Sequence, residues 1–297
     1  MDTEKYKVLL HTIRTGSLSE TGEALGYTPS GISRAITNLE AELGVKLLNR
    51  RRSGVVPTNE CKQLLPIISR LIRTENQLEQ QVSQIKGLEK GSIVIGTAYT
   101  MFYPMLSKLI YNFTRQYPNI DVSLIERTSS QLVKAVEMGT ADFCIVSKRK
   151  GKYGWTPLVR DRLCVYASKN HPQAEKGFFK SDDLEKEDFI EIYPHQETDN
   201  TLYFAENKIK THVKYVTQNE GSACAMVEAG LGVTILNGIY ADDMKNDLAV
   251  IPLDPPRYVD IGIAMQSDEY LSPAARRFVE FSKEEFDELR LKYEQES

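Results

Sequence analysis

The chain has 297 residues, 41% of them hydrophobic and 26% charged, and a formal net charge of −4. That length suits two domains, the composition is that of an ordinary globular protein, and no stretch approaches the roughly 18 apolar residues of a membrane span. A mildly acidic balance argues weakly against a nonspecific nucleic-acid coat, and DNA contact would be made by a local basic patch. The charged N-terminus, MDTEKYKVLLHTIRTG, lacks a secretory pattern, and a cytoplasmic location is expected.

Residues 1–58 read as short helices followed by a basic hairpin. Tyr6, Val8, Leu9, Leu10 and Ile13 have helical apolar spacing, and Gly16 ends that helix. Ser17 or Ser19 caps a second helix that Gly26 stops. Thr28-Pro29 opens a third, with the hydroxyl as cap and proline at the first helical position. Its apolar stripe is Ile32, Ala35, Ile36, Leu39 and Leu43, while Ser30, Ser33, Arg34 and Thr37 face the other way. Two short helices around a glycine turn, Leu18 to Thr37, match a helix-turn-helix, whose second helix enters the major groove of double-stranded DNA. Pro29, Ser30, Ser33 and Arg34 are the base-reading candidates, because hydroxyls suit several partners and arginine grips guanine through two bonds. The plain alternative is a solvated face on a helical hairpin. Arg50, Arg51 and Arg52, before Ser53-Gly54, form a basic tip suited to phosphate or minor-groove contact.

Residues 59–87 predict one long helix with Pro66 early in it. Leu64, Leu71, Leu78 and Ile85 recur every seven residues, with Ile68 and Val82 four residues after Leu64 and Leu78. This heptad seam is broken at Glu75 and predicts a homodimer, with packing on the same chain as the alternative. Residues 88–91 read as a hinge. Beyond it strands and helices alternate: strands at 92–97, 121–126, 143–147, 163–167, 189–192, 233–236 and 260–265, and helices at 101–117, 131–138 and 222–229, with a last one after Ser272-Pro273. Such β-α-β repetition predicts largely parallel sheets that bind ligands at the carboxyl ends of their strands.

Cys61, Cys144, Cys164 and Cys224 show neither C-x-x-C pairing nor zinc-ligand spacing, so buried thiols are expected, with a redox pair as the sharper alternative. His171, His195 and His212 are scattered, and no nucleophile elbow or phosphate loop occurs. No metal, cofactor or catalysis is expected.

The segment Gly16–Arg50, GSLSETGEALGYTPSGISRAITNLEAELGVKLLNR, resembles the DNA-binding domain of LysR-type transcriptional regulators. YPNIDVSLIE, VEMGTADFCIV, VEAGLGVTIL and LSPAARRFVEF resemble that family's sensor domain in order and spacing. Leu48 stands where an aromatic is usual, Glu60-Cys61 where a small residue and glycine are common, and Pro29 where glutamine is frequent.

The resemblance implies a winged helix-turn-helix, a linker helix and an α/β effector-binding domain of the periplasmic-binding-protein type (92–297). Its subdomains would be 92–161 with 267–297, and 162–266. It also implies a dimer or tetramer on DNA, with RNA polymerase a candidate partner and no membrane. Carried over by position, Thr100 and Ser129 each precede a helix, where free N–H groups favour an anion, so a small organic acid is the expected effector. Tyr99, Met101 and Phe102 would form an apolar wall, and Thr128, Ser130, Asn200, Thr201, Glu220 and Ser222 are weaker candidates. Plain helix capping is the alternative for both hydroxyls. Glu220 and Asp199 would repel a carboxylate, which leaves a cationic or neutral ligand open.

Overall fold

A computed structural model describes residues 3–51, 54–86, 90–241, 248–266 and 271–295. Contacts divide the chain into two compact units. The first takes the residues up to Gly91 with the short returns Glu137–Thr140 and Ser272–Ala274, and the second takes the remainder.

In the first unit α1 (Thr3–Thr15), α2 (Leu18–Leu25) and α3 (Pro29–Leu43) enclose a core of Leu9, Ile32, Ile36, Leu39 and Leu47, all nearly inaccessible. The caps are local. Ser17 Oγ accepts the Glu20 N–H at 3.3 Å, and Thr28 Oγ accepts that of Gly31 at 3.1 Å. A Cβ on Gly22 would stand 2.6 Å from the Tyr27 carbonyl, so the turn between α2 and α3 closes over a bare backbone. Strands β1 (Leu48–Arg51) and β2 (Gly54–Pro57) pair antiparallel as a wing. Glu40 Oε1 accepts the Leu47 and Leu48 N–H groups at 2.7 and 3.0 Å, and the Val55 N–H donates to Gly16 O at 2.8 Å. Gly54 has φ 119°, and a Cβ there would lie 2.4 Å from Gly16 O, so the position requires glycine.

Helix α4 (Asn59–Ile85) starts at Thr58, whose hydroxyl accepts the Cys61 N–H at 3.0 Å. Its apolar seam divides. Leu64, Ile68 and Leu71 pack on the core beneath α1–α3, whereas Leu78, Val82 and Ile85 are exposed at 64%, 40% and 78%. The expected hinge at 88–91 begins outside the described residues.

The second unit runs β3 (Gly91–Thr97), α5 (Tyr103–Gln116), β4 (Ile120–Glu126), α6 (Ser129–Met138), β5 (Phe143–Ser147) and β6 (Gly154–Ser168). It continues through β7 (Phe179–Lys180), β8 (Asp188–Ile192), α7 (Asp199–Asn207), β9 (His212–Thr217), α8 (Glu220–Glu228) and β10 (Thr234–Asn237). β11 (Leu248–Asp254), β12 (Tyr258–Met265), α9 (Pro273–Phe281) and α10 (Lys283–Gln295) complete it. The main sheet has the order β4-β3-β5-β12-β6-β11-β7, with β10 also on β6, and β8 pairs with β9. β3 lies parallel to β5 and β8 to β9, but β10, β11 and β12 all run antiparallel to β6. The sheet is therefore mixed rather than largely parallel, because β6 and β12 carry the chain between two lobes.

The first half of β6 pairs with β12, and residues 163–168 pair with β10 and β11. β12 also pairs with β5, so residues 258–265 belong to the first lobe, although the sequence boundary assigns them to the second. The 163–167 strand is only the end of β6. Pro157 and the run Arg160-Asp161-Arg162 mask its earlier part in the sequence. Aromatic contacts fasten α9 to the first lobe: Phe278 meets Phe113 edge-on at 4.9 Å and stacks on Phe143 at 5.6 Å. Among the described residues no helix is long and apolar enough to cross a membrane.

Candidate functional site

The surface of α3 carries the first candidate site. Pro29, Ser30, Arg34 and Thr37 are exposed, while Ser33 is half-buried and accepts a hydrogen bond from Arg50 Nη2 at 2.8 Å. That bond sets the wing beside the recognition helix. Ser30 Oγ is 3.0 Å from the capping Thr28 hydroxyl, Arg50 and Arg51 are exposed, and Arg52 lies outside the described residues. The sequence reading passed over Tyr27, 57% exposed at the mouth of the turn. An aromatic just before a capping threonine was its available signal. Phosphates and base edges need exposed donors at a rigid helix start, and this surface supplies them.

The second candidate is a cavity of about 70 Å³ between the two lobes of the second unit. The ends of β3, β4 and β5 bring Tyr99, Thr128, Ser129 and Arg149 to one side. Tyr193, Asp199, Asn200, Glu220 and Tyr240 come from the other lobe, with Ile192, Ile235 and Leu236 as apolar wall. Thr100, Met101, Phe102, Ser130, Thr201 and Ser222 are not among the lining residues.

The two hydroxyls singled out from sequence are already engaged. The Thr100 N–H and hydroxyl both point at the Tyr240 hydroxyl, at 3.2 and 3.5 Å. Ser129 Oγ accepts the Ser147 N–H at 3.0 Å and lies 3.0 Å from Ser147 Oγ. Thr201 closes a capping box with Thr198, and Asn200 Nδ2 donates to Ile235 O at 2.8 Å.

Asp199 is the centre of the polar network. Its carboxylate accepts from Tyr99 Oη at 3.0 Å, Ser147 Oγ at 2.8 Å and Arg149 Nη2 at 2.9 Å, all from the opposite lobe. Arg149 also donates to Ser147 Oγ at 2.7 Å and Ser130 Oγ at 3.0 Å. Sequence reasoning missed Arg149, Tyr193 and Tyr240. Arg149 stands just past the carboxyl end of β5, a buried strand, and that position was its signal.

Glu126 accepts from the Tyr193 hydroxyl at 2.9 Å and from that of Tyr103. Glu220 is 7% exposed, and its Oε2 has no hydrogen-bond partner among the described residues. Burial, then the nearby Glu126 charge, raises the Glu220 carboxyl above its ordinary value. Burial, then Asp199, pushes the Tyr99 hydroxyl well up.

All four cysteines are buried, and none is in a disulfide among the described residues. Burial pushes Cys61, Cys164 and Cys224 up to about 11 and Cys144 up to about 12, which favours the protonated thiol over the reactive thiolate. Among the described residues no group of three or more His, Cys, Asp or Glu could hold a metal ion. His171 pairs with Glu187 at 3.3 Å and His212 with Asp188 at 3.0 Å, away from the cavity lining.

Residues 3–62 match the family described as "Bacterial regulatory helix-turn-helix protein, lysR family", and residues 86–287 match "LysR substrate binding domain". The chain is 31% identical to the HTH-type transcriptional regulator YvbU of Bacillus subtilis (strain 168), over 96% of this chain and 99% of that protein. Its fold is like that of full-length OxyR from Pseudomonas aeruginosa (TM-score 0.66, 18% identity, 98% of this chain and 95% of that one). It is also like that of full-length CbnR in complex with its target DNA (TM-score 0.58, 20% identity, 96% and 99%). The helix-turn-helix unit and the two-lobed unit together place this chain in the LysR family, whose members are DNA-binding transcription regulators with an effector-binding domain.

Proposed function

We propose that this regulator reads DNA with Pro29, Ser30, Ser33 and Arg34 on α3, holds backbone phosphates with Arg50, Arg51 and Arg52, and answers to a small molecule in the interlobe cavity. The observation that carries the DNA reading is the Arg50–Ser33 bond of 2.8 Å, which makes helix and wing one surface. The cavity supports the effector reading, since both lobes contribute polar groups to it and a ligand there is felt by both. A ligand shifts the protein only through different affinities for two lobe arrangements. The chain works by binding rather than catalysis, in the cytoplasm, without a metal or cofactor.

The working form is a homodimer, with a tetramer on DNA and RNA polymerase as further partners. The bare stripe of Leu78, Val82 and Ile85 supports a second copy lying against α4. The two recognition helices of a dimer would meet half-sites about one helical turn, or a multiple, apart.

Nuclease footprinting of the full-length protein on the DNA flanking its own gene tests this reading. Protection of a dyad-symmetric site that changes with an added small molecule is the expected result. A failure to protect any such DNA at near-physiological salt would count against the assignment of α3.

A further inference from the structure

The charged groups in and beside the cavity are unequally supplied with partners. Arg149 and Asp199 form a neutral pair whose hydrogen bonds are filled by each other and by Tyr99, Ser130 and Ser147. Glu126 holds two tyrosine hydroxyls. Glu220 is different: it is 7% exposed, it lines the cavity, and among the described residues its Oε2 accepts nothing. A buried carboxylate oxygen without a donor is costly, and a ligand that brings one removes that cost.

We propose that the cavity takes a small organic cation, an ammonium or amidinium group on a compact apolar body, with Glu220 as the recognising carboxylate. The inference rests on the cavity being the effector site. A cationic head would give Glu220 Oε2 its missing donor and offset the repulsion between Glu220 and Glu126. The tyrosine rings of Tyr99, Tyr193 and Tyr240 suit a cation, and Ile192 and Ile235 suit its hydrocarbon. A carboxylate ligand would face Glu220 and find Arg149 already held by Asp199. The volume of about 70 Å³ favours a head with a short chain.

The test is calorimetric titration of the full-length protein with n-butylammonium, butyrate and butyramide, three probes of one length and different charge. Butylammonium should bind, and the other two should not. Glu220→Gln should weaken butylammonium at least tenfold, and Glu220→Asp, which keeps the charge but draws it back, should weaken it less. The aspartate variant carries the comparison if the glutamine variant does not fold. Binding of butyrate in place of butylammonium would overturn the cation and leave the effector cavity standing. Undiminished binding to both variants would overturn Glu220. Binding of none of the three probes would overturn the cavity reading along with the inference.

Discussion

The recognition helix and the interlobe cavity use the same residue types, serine, threonine and arginine, in opposite ways. On α3, Ser30 and Arg34 stand exposed, and the bonds that hold the helix start are made between residues three apart in sequence. In the cavity, Ser147 and Arg149 are spent on Asp199, 52 and 50 residues away, and Tyr99 reaches it across 100. A DNA-reading surface can leave donors such as those of Arg34 and Arg51 exposed for a partner it meets ready-made. A cavity between lobes must satisfy its polar groups until a ligand arrives, or bear the cost of leaving them unpaired.

The largest effect expected from this contrast is on stability. Asp199→Ala strands the mostly buried Arg149 guanidinium and should cost about 3 kcal/mol, whereas Arg34→Ala should stay within about 0.5 kcal/mol. Denaturant unfolding of the two full-length variants decides it, and equal losses would break the comparison. On DNA the ranking reverses. Arg34→Ala should remove about 1–3 kcal/mol of discrimination at one base position, while Arg51→Ala should weaken all sequences alike and lower the salt slope by about one. Binding titrations on half-site variants at several salt concentrations separate the two, and identical behaviour would refute the division of roles.

A smaller effect belongs to Thr28. Loss of its cap in Thr28→Ala should lower stability by about 1 kcal/mol, read from the unfolding midpoint. The last is a pH dependence. Folded Glu220, with its carboxyl raised, keeps its proton to higher pH than the unfolded chain does. Its contribution thus favours the fold in acid and is lost as pH rises from the ordinary carboxylate range through the raised value. Glu220→Gln should therefore melt above the parent near about pH 8, with the gap closing toward about pH 4. A gap constant with pH would show that the charge is not at issue.

The same contrast explains what was legible in the sequence. Caps, glycine stops and the apolar stripe of α3 are local, so Ser17, Thr28 and Gly26 mark the helices before any tertiary contact is known. Strands β3, β4 and β5 were equally plain, as short apolar runs between helices. Arg149 was not, because its partner Asp199 lies 50 residues on and in the other lobe. Thr100 and Ser129 stand at helix starts as expected, but their neighbours Tyr240 and Ser147 could only be supplied by folding. β9 (HVKYVT) went unseen because most of it is exposed and half polar, and β12 was read as a strand but given to the wrong lobe, since periodicity says nothing of pairing.

Strand β6 has 15 residues, which at about 3.3 Å per residue makes a ribbon roughly 50 Å long. One end is stitched to β12 and the other to β10 and β11, so a single stiff member runs through both lobes. The sensor is then closer to a torsion bar than to a hinged shell. Any turning of one lobe against the other would have to be taken up where the ribbon changes partners, around Arg162 and Leu163, and at the 255–257 return. A ligand that favours one lobe arrangement would then be registered as an angle, and a substitution in that stretch would reset the angle of the empty protein without touching any ligand.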